Sequence, residues 1–422
     1  MSLASAGQPS WFGQPRGLTV LFLTEMWEKF SFYGMRAMLV YYMTKQLLMA
    51  QAQASLVYGL YTAVVYLTPI FGGLVADRWL GRRKAVILGG TIMAFGHFLM
   101  AFEPALYAAL ACIALGNGFF LPSLPSQIGG LYAPDDPRRV RAYNVYYVGV
   151  NLGGFLAPLV CGTIGELYGW HYGFGVAGIG MLAGLAIYIL GRPYLPADPP
   201  RAAREGPARG RANMPLTMLL VGVGLSVVVF RAAYEQMGNT VALWADQGVD
   251  RVVGGGFEIP MTWFQSLNPL LVFALTPFLL AHWSRQAARG REPQPLSKMS
   301  LGAAGVAAAF VVLAAVSATG QSAASWLWLV GFFAVLTAGE LFILPVGLGL
   351  FARFAPAGLA ATAVAAWFLA AFAGNLLAGV LGTLWTVLGP PVFFALMGGV
   401  AGLSSLSLFA LRPLAKTAGA VL

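Results

Sequence analysis

Residues 25–36 read Glu25-Met26-Trp27-Glu28-Lys29-Phe30-Ser31-Phe32-Tyr33-Gly34-Met35-Arg36, which places four ionisable groups inside an apolar run of membrane-spanning length, roughly residues 18–44. A helix turns about 100° per residue, so Glu25, Lys29, Phe32 and Arg36 fall on one stripe, with Glu28 and Tyr33 on its flanks. All four charges then share an arc of about 100°, and Leu21, Met26, Trp27 and Phe30 take the opposite side. A charge at the centre of a lipid-facing helix costs about 2.5–3.5 kcal/mol on insertion scales. Four scattered charges would make this a poor span, whereas four on one face can pair with each other and look into a wet cavity. Glu25 and Lys29, four apart with the acid first, stand in the favourable order for a helical ion pair. The competing reading is an amphipathic helix lying on the membrane surface. The flanks are too long and too apolar for that, and eleven further spans follow.

The composition agrees. The chain has 422 residues, 59% hydrophobic and 9% charged, with a mean hydropathy of +0.74, where a soluble protein carries about 25% charged residues. This is the composition of a polytopic helical membrane protein, and the length allows about 12 to 14 spans. The net charge of +10 does not point to nucleic acid, because of where the cations fall. Of the 25 Lys and Arg, 20 lie in termini and loops assigned to one side of the membrane, from Arg16 and Arg78 through Arg138 and Arg285 to Lys416. Lys45 and Arg251 fall on the other side, and Lys29, Arg36 and Arg231 lie within spans. This positive-inside asymmetry places both termini in the cytosol and requires an even number of spans. Cys112 and Cys161 sit in apolar segments and suggest no disulfide framework. The N-terminal residues show no cleavable signal pattern, so the first span itself would direct insertion.

Twelve spans follow from hydropathy, at roughly 18–44, 55–77, 83–103, 105–124, 141–166, 172–191, 215–245, 260–283, 299–319, 324–350, 358–384 and 390–412. Residues 192–214 are rich in Pro, Arg and Ala and read as a flexible cytosolic linker between two six-helix halves, 1–191 and 215–422. Between the second and third spans comes Gly72-Gly73-x-x-x-Asp77-Arg78-x-x-Gly81-Arg82-Arg83-Lys84. Its glycines let helices approach closely, and Asp77 at the cytosolic mouth can pair with a basic residue or a helix N-terminus to latch one gate state. This loop resembles the signature of the major facilitator superfamily. A second basic loop, Arg285 to Lys298, falls at the matching place in the second half, as a duplicated architecture would have it.

Ionisable and amide groups at membrane depth are few, and each is a candidate for function. The seventh segment has Arg231 and Glu235 four apart on one face, and the tenth has Glu340 five residues before Pro345. The amides are Asn151, Gln265, Asn268 and Asn375, for which helix-to-helix bonding beside small residues is the plainer role. Tyr33, Tyr66, Trp263 and Trp367 suit a cavity wall that accepts varied apolar side chains, although a single aromatic in a span is more often packing. His97, His171 and His282 show no metal spacing, and no nucleophile–base constellation, His-Glu-x-x-His motif or phosphate loop appears. An enzyme is therefore not expected, and a channel would lack the two-half linker and the gate loop.

The opening stretch, Glu25-x-x-Glu28-Lys29-Phe30-Ser31-Phe32-Tyr33-Gly34, resembles the E-x-x-E-R-F-x-Y-Y-G signature of the proton-dependent oligopeptide transporter family. Further runs match in order up to about residue 380. They include Tyr66 eleven residues before Asp77, Leu131 to Arg139, Tyr147 to Gly153, Glu235-Gln236-x-Gly238-Asn239, Phe264 to Pro269, Glu340 with Pro345 to Leu348, and Trp367-Phe368-Leu369. The resemblance implies a proton-coupled symporter that imports di- and tripeptides by alternating access. It would sit in the plasma (bacterial inner) membrane as a monomer, with the lipid bilayer, the peptide and protons as its partners and no cofactor beyond the coupling proton. Glu25, Glu28, Lys29 and Glu235 would couple protonation to gating. Tyr33, Arg36, Tyr66, Asn151, Asn268, Glu340 and Trp367 would bind the peptide. Glu340 and the amides would hold its amino terminus, and Lys29, Arg36 and Tyr33 its carboxylate. Arg36 and Glu235 would pair to close the extracellular side, and Asp77 and Arg231 would serve gating. The alternative is a transporter of the same fold for another small solute, an anionic metabolite, nitrate or a drug.

The chain departs from the family pattern in several places. Lys29 stands for the usual Arg, a point charge instead of a bidentate fork. Phe32 replaces a Tyr and loses its hydroxyl. Leu121 stands where the family carries a Lys that faces the tenth-helix Glu. The linker is too short for the extra helix pair of many bacterial members, and Gly59 stands where animal members have a His. Without the Lys, Glu340 is a buried carboxylate short of a cation, and Arg231, one turn from Glu235, is expected to supply part of that charge.

Overall fold

The computed structural model describes residues 13–133, 136–198, 214–319, 323–354 and 360–417. Most of the basic linker, residues 199–213, lies outside them, as does Pro134-Asp135 of the Leu131–Arg139 run.

Before the linker come α1 (Arg16–Tyr41), α2 (Gln51–Val75), α3 (Arg82–Leu99), α4 (Leu106–Ser123), α5 (Arg138–Ala157), α6 (Thr163–Tyr168) and α7 (Trp170–Gly191). After it come α8 (Met214–Tyr234), α9 (Thr240–Gln247), α10 (Leu267–Ala288), α11 (Pro295–Ser317), α12 (Leu327–Arg353), α13 (Ala360–Gly382), α14 (Trp385–Ala410) and α15 (Arg412–Thr417). α5 and α6 form one span, joined through a widened turn at Pro158–Gly162. α8 and α9 form another, joined through a tight 3-10 turn at Glu235–Gly238. Among the described residues the count is twelve spans, six on each side of the linker. Ten of them are long and apolar enough to cross a membrane by length and composition alone. The other two, α1 and α3, carry the charges the sequence places there, the four of residues 25–36 and Arg82-Arg83-Lys84.

Two spans depart from a regular helix. The seventh changes course at Glu235–Gly238, and Asn239 (φ −117°, ψ −94°) leaves helical geometry. The twelfth begins at Trp385, with a kink at Gly389 (φ +71°) before Pro390-Pro391. That positive φ suits glycine, and the two prolines cannot continue the preceding turn. The short strands β1 (Val249–Asp250), β2 (Val252–Val253), β3 (Phe257–Glu258) and β4 (Ala324–Ser325) lie in loops; β1 pairs with β4 in parallel and β2 with β3 as a hairpin.

By packing, the chain forms two compact units, Met1–Tyr42 with Val64–Ala203, and Met43–Ala63 with Arg204–Leu422. The partition read from the sequence differs at residues 43–63, because the first half of α2 packs with the second unit. In the first unit α1 lies against α5 and α7, and α3 against α4 and α7. The close contact of α1 with α5 depends on Gly153, where a Cβ would stand 2.9 Å from the Phe30 nitrogen and 3.1 Å from the Lys29 Cβ. In the second unit α11 packs on α12 and α14, α8 on α13 and α14, and α10 on α12. Gly302 and Gly339 seat α11 on α12, each blocked by the other's carbonyl at about 2.5 Å from an added Cβ.

Candidate transport site

In the first unit the charged stripe of α1 is buried: Glu25 is 2% exposed, Glu28 0% and Lys29 9%. Lys29 Nζ lies 2.6 Å from Glu28 Oε2 and 3.4 Å from Glu25 Oε1. One cation therefore serves two buried carboxylates, and the cluster is one negative charge in excess when all three are ionised. Glu28 Oε1 and the hydroxyls of Thr24 and Ser31, which flank Glu28 four and three residues away, have no hydrogen-bond partner among the described residues. Buried polar atoms without partners are uncommon and call for an explanation. Lys29 Nζ also stands 5.9 Å from the centroid of the Phe32 ring. The Tyr-to-Phe departure thus leaves an aromatic face to the ammonium. The other side of α1 meets α7. Trp27 and Phe30 lie over Gly180, where an added Cβ would be 2.7 Å from Phe30.

The remaining candidates of this unit are spread over three helices. Tyr33 and Arg36 are half-buried on α1, and Tyr66 is half-buried in α2. Asn151 is buried in α5 and donates from Nδ2 to the Tyr147 carbonyl of its own helix at 2.9 Å. Leu121 is half-buried in α4. Asp77 is exposed in the turn Ala76–Leu80 that follows α2. At the start of α3 it is Asp198 whose Oδ1 accepts from the Arg83 main-chain N–H at 3.3 Å. Arg83 adds side-chain bonds to the Leu195 and Pro196 carbonyls. The chain leaving α7 is thereby tied to the signature loop.

In the second unit Arg231 Nη2 donates to Glu235 Oε1 at 2.7 Å across one helical turn, with both residues 4% exposed or less. Arg231 Nε donates to Asn375 Oδ1 at 3.2 Å. Asn268 Nδ2 donates to Glu340 Oε2 at 2.6 Å and to Thr337 Oγ1 at 3.0 Å. The Glu340 carboxylate also takes a hydrogen bond from Tyr234, and it lies within electrostatic reach of Arg231 and Glu235. The structure therefore brings together Arg231, Glu235, Asn268 and Glu340 as a second cluster of two acids and one base. Trp367 stands apart from it. Its ring lies against Gly347 and edge-on to Phe351 at 5.4 Å, and the residue is 8% exposed. Sequence reasoning missed Tyr234 and Thr337. Thr337 sits three residues before Glu340 on one helix face and was open to that argument; Tyr234 adjoins Glu235 in the motif, but its reach to α12 depends on how α8 and α12 pack.

The POT family model matches residues 83–204 and 216–390. The uncharacterized transporter YclF of Bacillus subtilis is 31% identical, with 99% of this chain and 97% of that protein covered. A di-/tripeptide transporter of Lactococcus lactis is also 31% identical, with 98% of each covered. Among solved structures, a peptide transporter POT in complex with sulfate matches with a TM-score of 0.91 at 30% identity, covering 97% of both chains. The twelve spans are thus those of the major facilitator fold, and the protein is a multi-pass membrane transporter and not an enzyme. With the family model covering most of its length and relatives of equal extent, the chain belongs to the POT family.

Proposed function

We propose that the protein is a proton-coupled symporter that imports di- and tripeptides by alternating access. The observation that carries this reading is the pair of buried clusters, Glu25–Glu28–Lys29 and Glu235–Glu340–Arg231, each with two acids and one base. A buried net negative charge is costly, and each cluster is relieved by one added positive charge. In the first unit that charge is a proton, because the unpartnered Glu28 oxygen is buried. In the second it is the ammonium of a peptide, received by Glu340 beside the Asn268 amide. Arg36, Tyr33 and Lys29 take the peptide carboxylate, Tyr66, Asn151 and Trp367 border its backbone and side chains, and Arg36 pairs with Glu235 as the outer side closes. Arg231 supplies part of the charge that Leu121 does not. The cation distribution supports an inner-membrane location with cytosolic termini, and the protein works as a monomer.

Uptake of labelled dialanine by proteoliposomes with acid outside tests the reading. Uptake that follows the gradient, and that Glu28→Gln abolishes while peptide exchange survives, is the expected result. A protein inert to dialanine, tripeptides and single amino acids would instead transport another solute on the same fold.

A further inference from the structure

The first half of α2 carries Gln51, Ser55, Gly59 and Thr62 on one stripe, at helical spacing. Each of them meets α13 or the broken seventh span within the second unit. Gln51 Nε2 donates to the Gly382 carbonyl at 3.0 Å. Ser55 Oγ donates to Asn239 Oδ1 at 2.9 Å. Gly59 and Gly379 meet backbone to backbone, where a Cβ on Gly379 would lie 2.8 Å from the Gly59 Cα. At the end of the stripe Asn375 Nδ2 donates to the Thr62 main-chain carbonyl at 3.0 Å. The oxygen of the same amide accepts from Arg231 Nε at 3.2 Å, and Arg231 Nη2 holds Glu235 at 2.7 Å. A continuous line runs from the Glu235 carboxylate through Arg231 and Asn375 to the α2 backbone, and none of its four residues is more than 4% exposed.

We propose that Asn375 is a positioning residue that passes the charge state of Glu235 to the first half of α2. A guanidinium presents its donors in a rigid planar fork. With Glu235 ionised, the carboxylate fixes one arm of that fork and Nε is aimed at Asn375. This also fixes which way the amide points, since a reversed amide would set its NH2 against Arg231 and its oxygen against the Thr62 carbonyl. Removing the charge of Glu235 releases the fork, the amide loses its orienting donor, and the bond to Thr62 weakens. Glu340 of α12 also acts on this pair. Thr62 lies one turn before Tyr66, so the bond holds the turn from which a proposed peptide ligand projects; only that last step rests on the peptide reading.

Hydrogen–deuterium exchange of residues 51–66 in the purified full-length protein tests the proposal, with no transport assay needed. Glu235→Gln and Asn375→Leu should each speed exchange of this segment by about tenfold, the scale of one hydrogen bond. The double variant should exchange no faster than Asn375→Leu alone, and α11 and α14 should keep their wild-type protection. Unchanged exchange of residues 51–66 in Glu235→Gln, or single effects that multiply in the double variant, would overturn it. Should Asn375→Leu not fold, Asn375→Asp carries the same expectation, since it keeps the size and lacks a donor for the Thr62 carbonyl. Loss of peptide transport with the exchange pattern intact would overturn the functional reading and leave this one standing.

Discussion

Lys29 shows how much of a site a single residue type decides. Its ammonium is shared by Glu28 at 2.6 Å and Glu25 at 3.4 Å. A guanidinium would bind one carboxylate through two parallel bonds and favour that partner, whereas a point charge on a flexible stem can pass between the two. Lys29→Gln leaves two buried carboxylates with no cation, a change of the kind that costs about 3–5 kcal/mol. The expected outcome is a large fall in melting temperature at neutral pH and no gradient-driven uptake. Lys29→Arg should keep the melting temperature within a few degrees while slowing transport, because the fork commits to one acid. Equal uptake rates for the wild type and Lys29→Arg would count against the sharing argument. This cluster was legible in the sequence, because all three groups lie within five residues on one helix and helical geometry alone brings them together. The Arg231–Glu235 pair was legible for the same reason. Asn375 stood out as an amide at membrane depth, but its partners on α2 and α8 did not, since they depend on helix register that no local pattern encodes. Asp198 was equally hidden, because it follows four spans after the loop it ties down.

At the scale of the helix, α7 gives a direct test of what its glycines do. Gly180 supports Phe30 of α1, and an added Cβ would stand 2.7 Å from that ring and 3.3 Å from Trp27. Gly175, five residues earlier, has nothing within 4 Å of the same position. Gly180→Val should therefore push α1 off its seat, with a loss of about 1–3 kcal/mol from overpacking, read as a lower melting temperature and a broadened elution profile. Gly175→Val should stay within about 0.5 kcal/mol of wild type. Equal damage from both would mean that backbone flexibility, and not close approach, is what the glycines provide. The position of each span was legible in hydropathy to within a few residues. The break in the seventh was not, because the polar run Glu235-Gln236-Met237-Gly238 marks a buried site as readily as a change of backbone course. Its polar side chains are answered within the span and by α13. Gln236 Nε2 donates to the Ala378 carbonyl at 2.8 Å, and its oxygen accepts from Thr240 Oγ1 at 3.0 Å. A non-helical turn at membrane depth survives only when buried in protein with such partners.

At the scale of the molecule, two clusters each lack one positive charge, and on the proposed reading they determine how much work the protein can do. The spans were visible in composition and spacing, because the bilayer imposes their length and apolarity on any chain of this kind. That residues 43–63 pack with the second unit was not visible, since it follows from side-chain contacts with α13 and not from chain order. On the proposed reading, the first cluster takes a proton and the second takes the peptide ammonium, so one proton should accompany each zwitterionic dipeptide. One pH unit is worth about 1.4 kcal/mol per proton, and each 100 mV about 2.3 kcal/mol. In proteoliposomes clamped at zero potential, dialanine should accumulate about tenfold for each pH unit across the membrane. A dipeptide with an acetylated amino terminus brings no ammonium and should require the second cluster to take its own proton. Its accumulation, where it is transported at all, should approach a hundredfold per pH unit. A hundredfold slope for dialanine itself would mean that a second proton enters even when the ammonium is present, and Glu340 would then no longer be the group that answers the peptide's amino terminus.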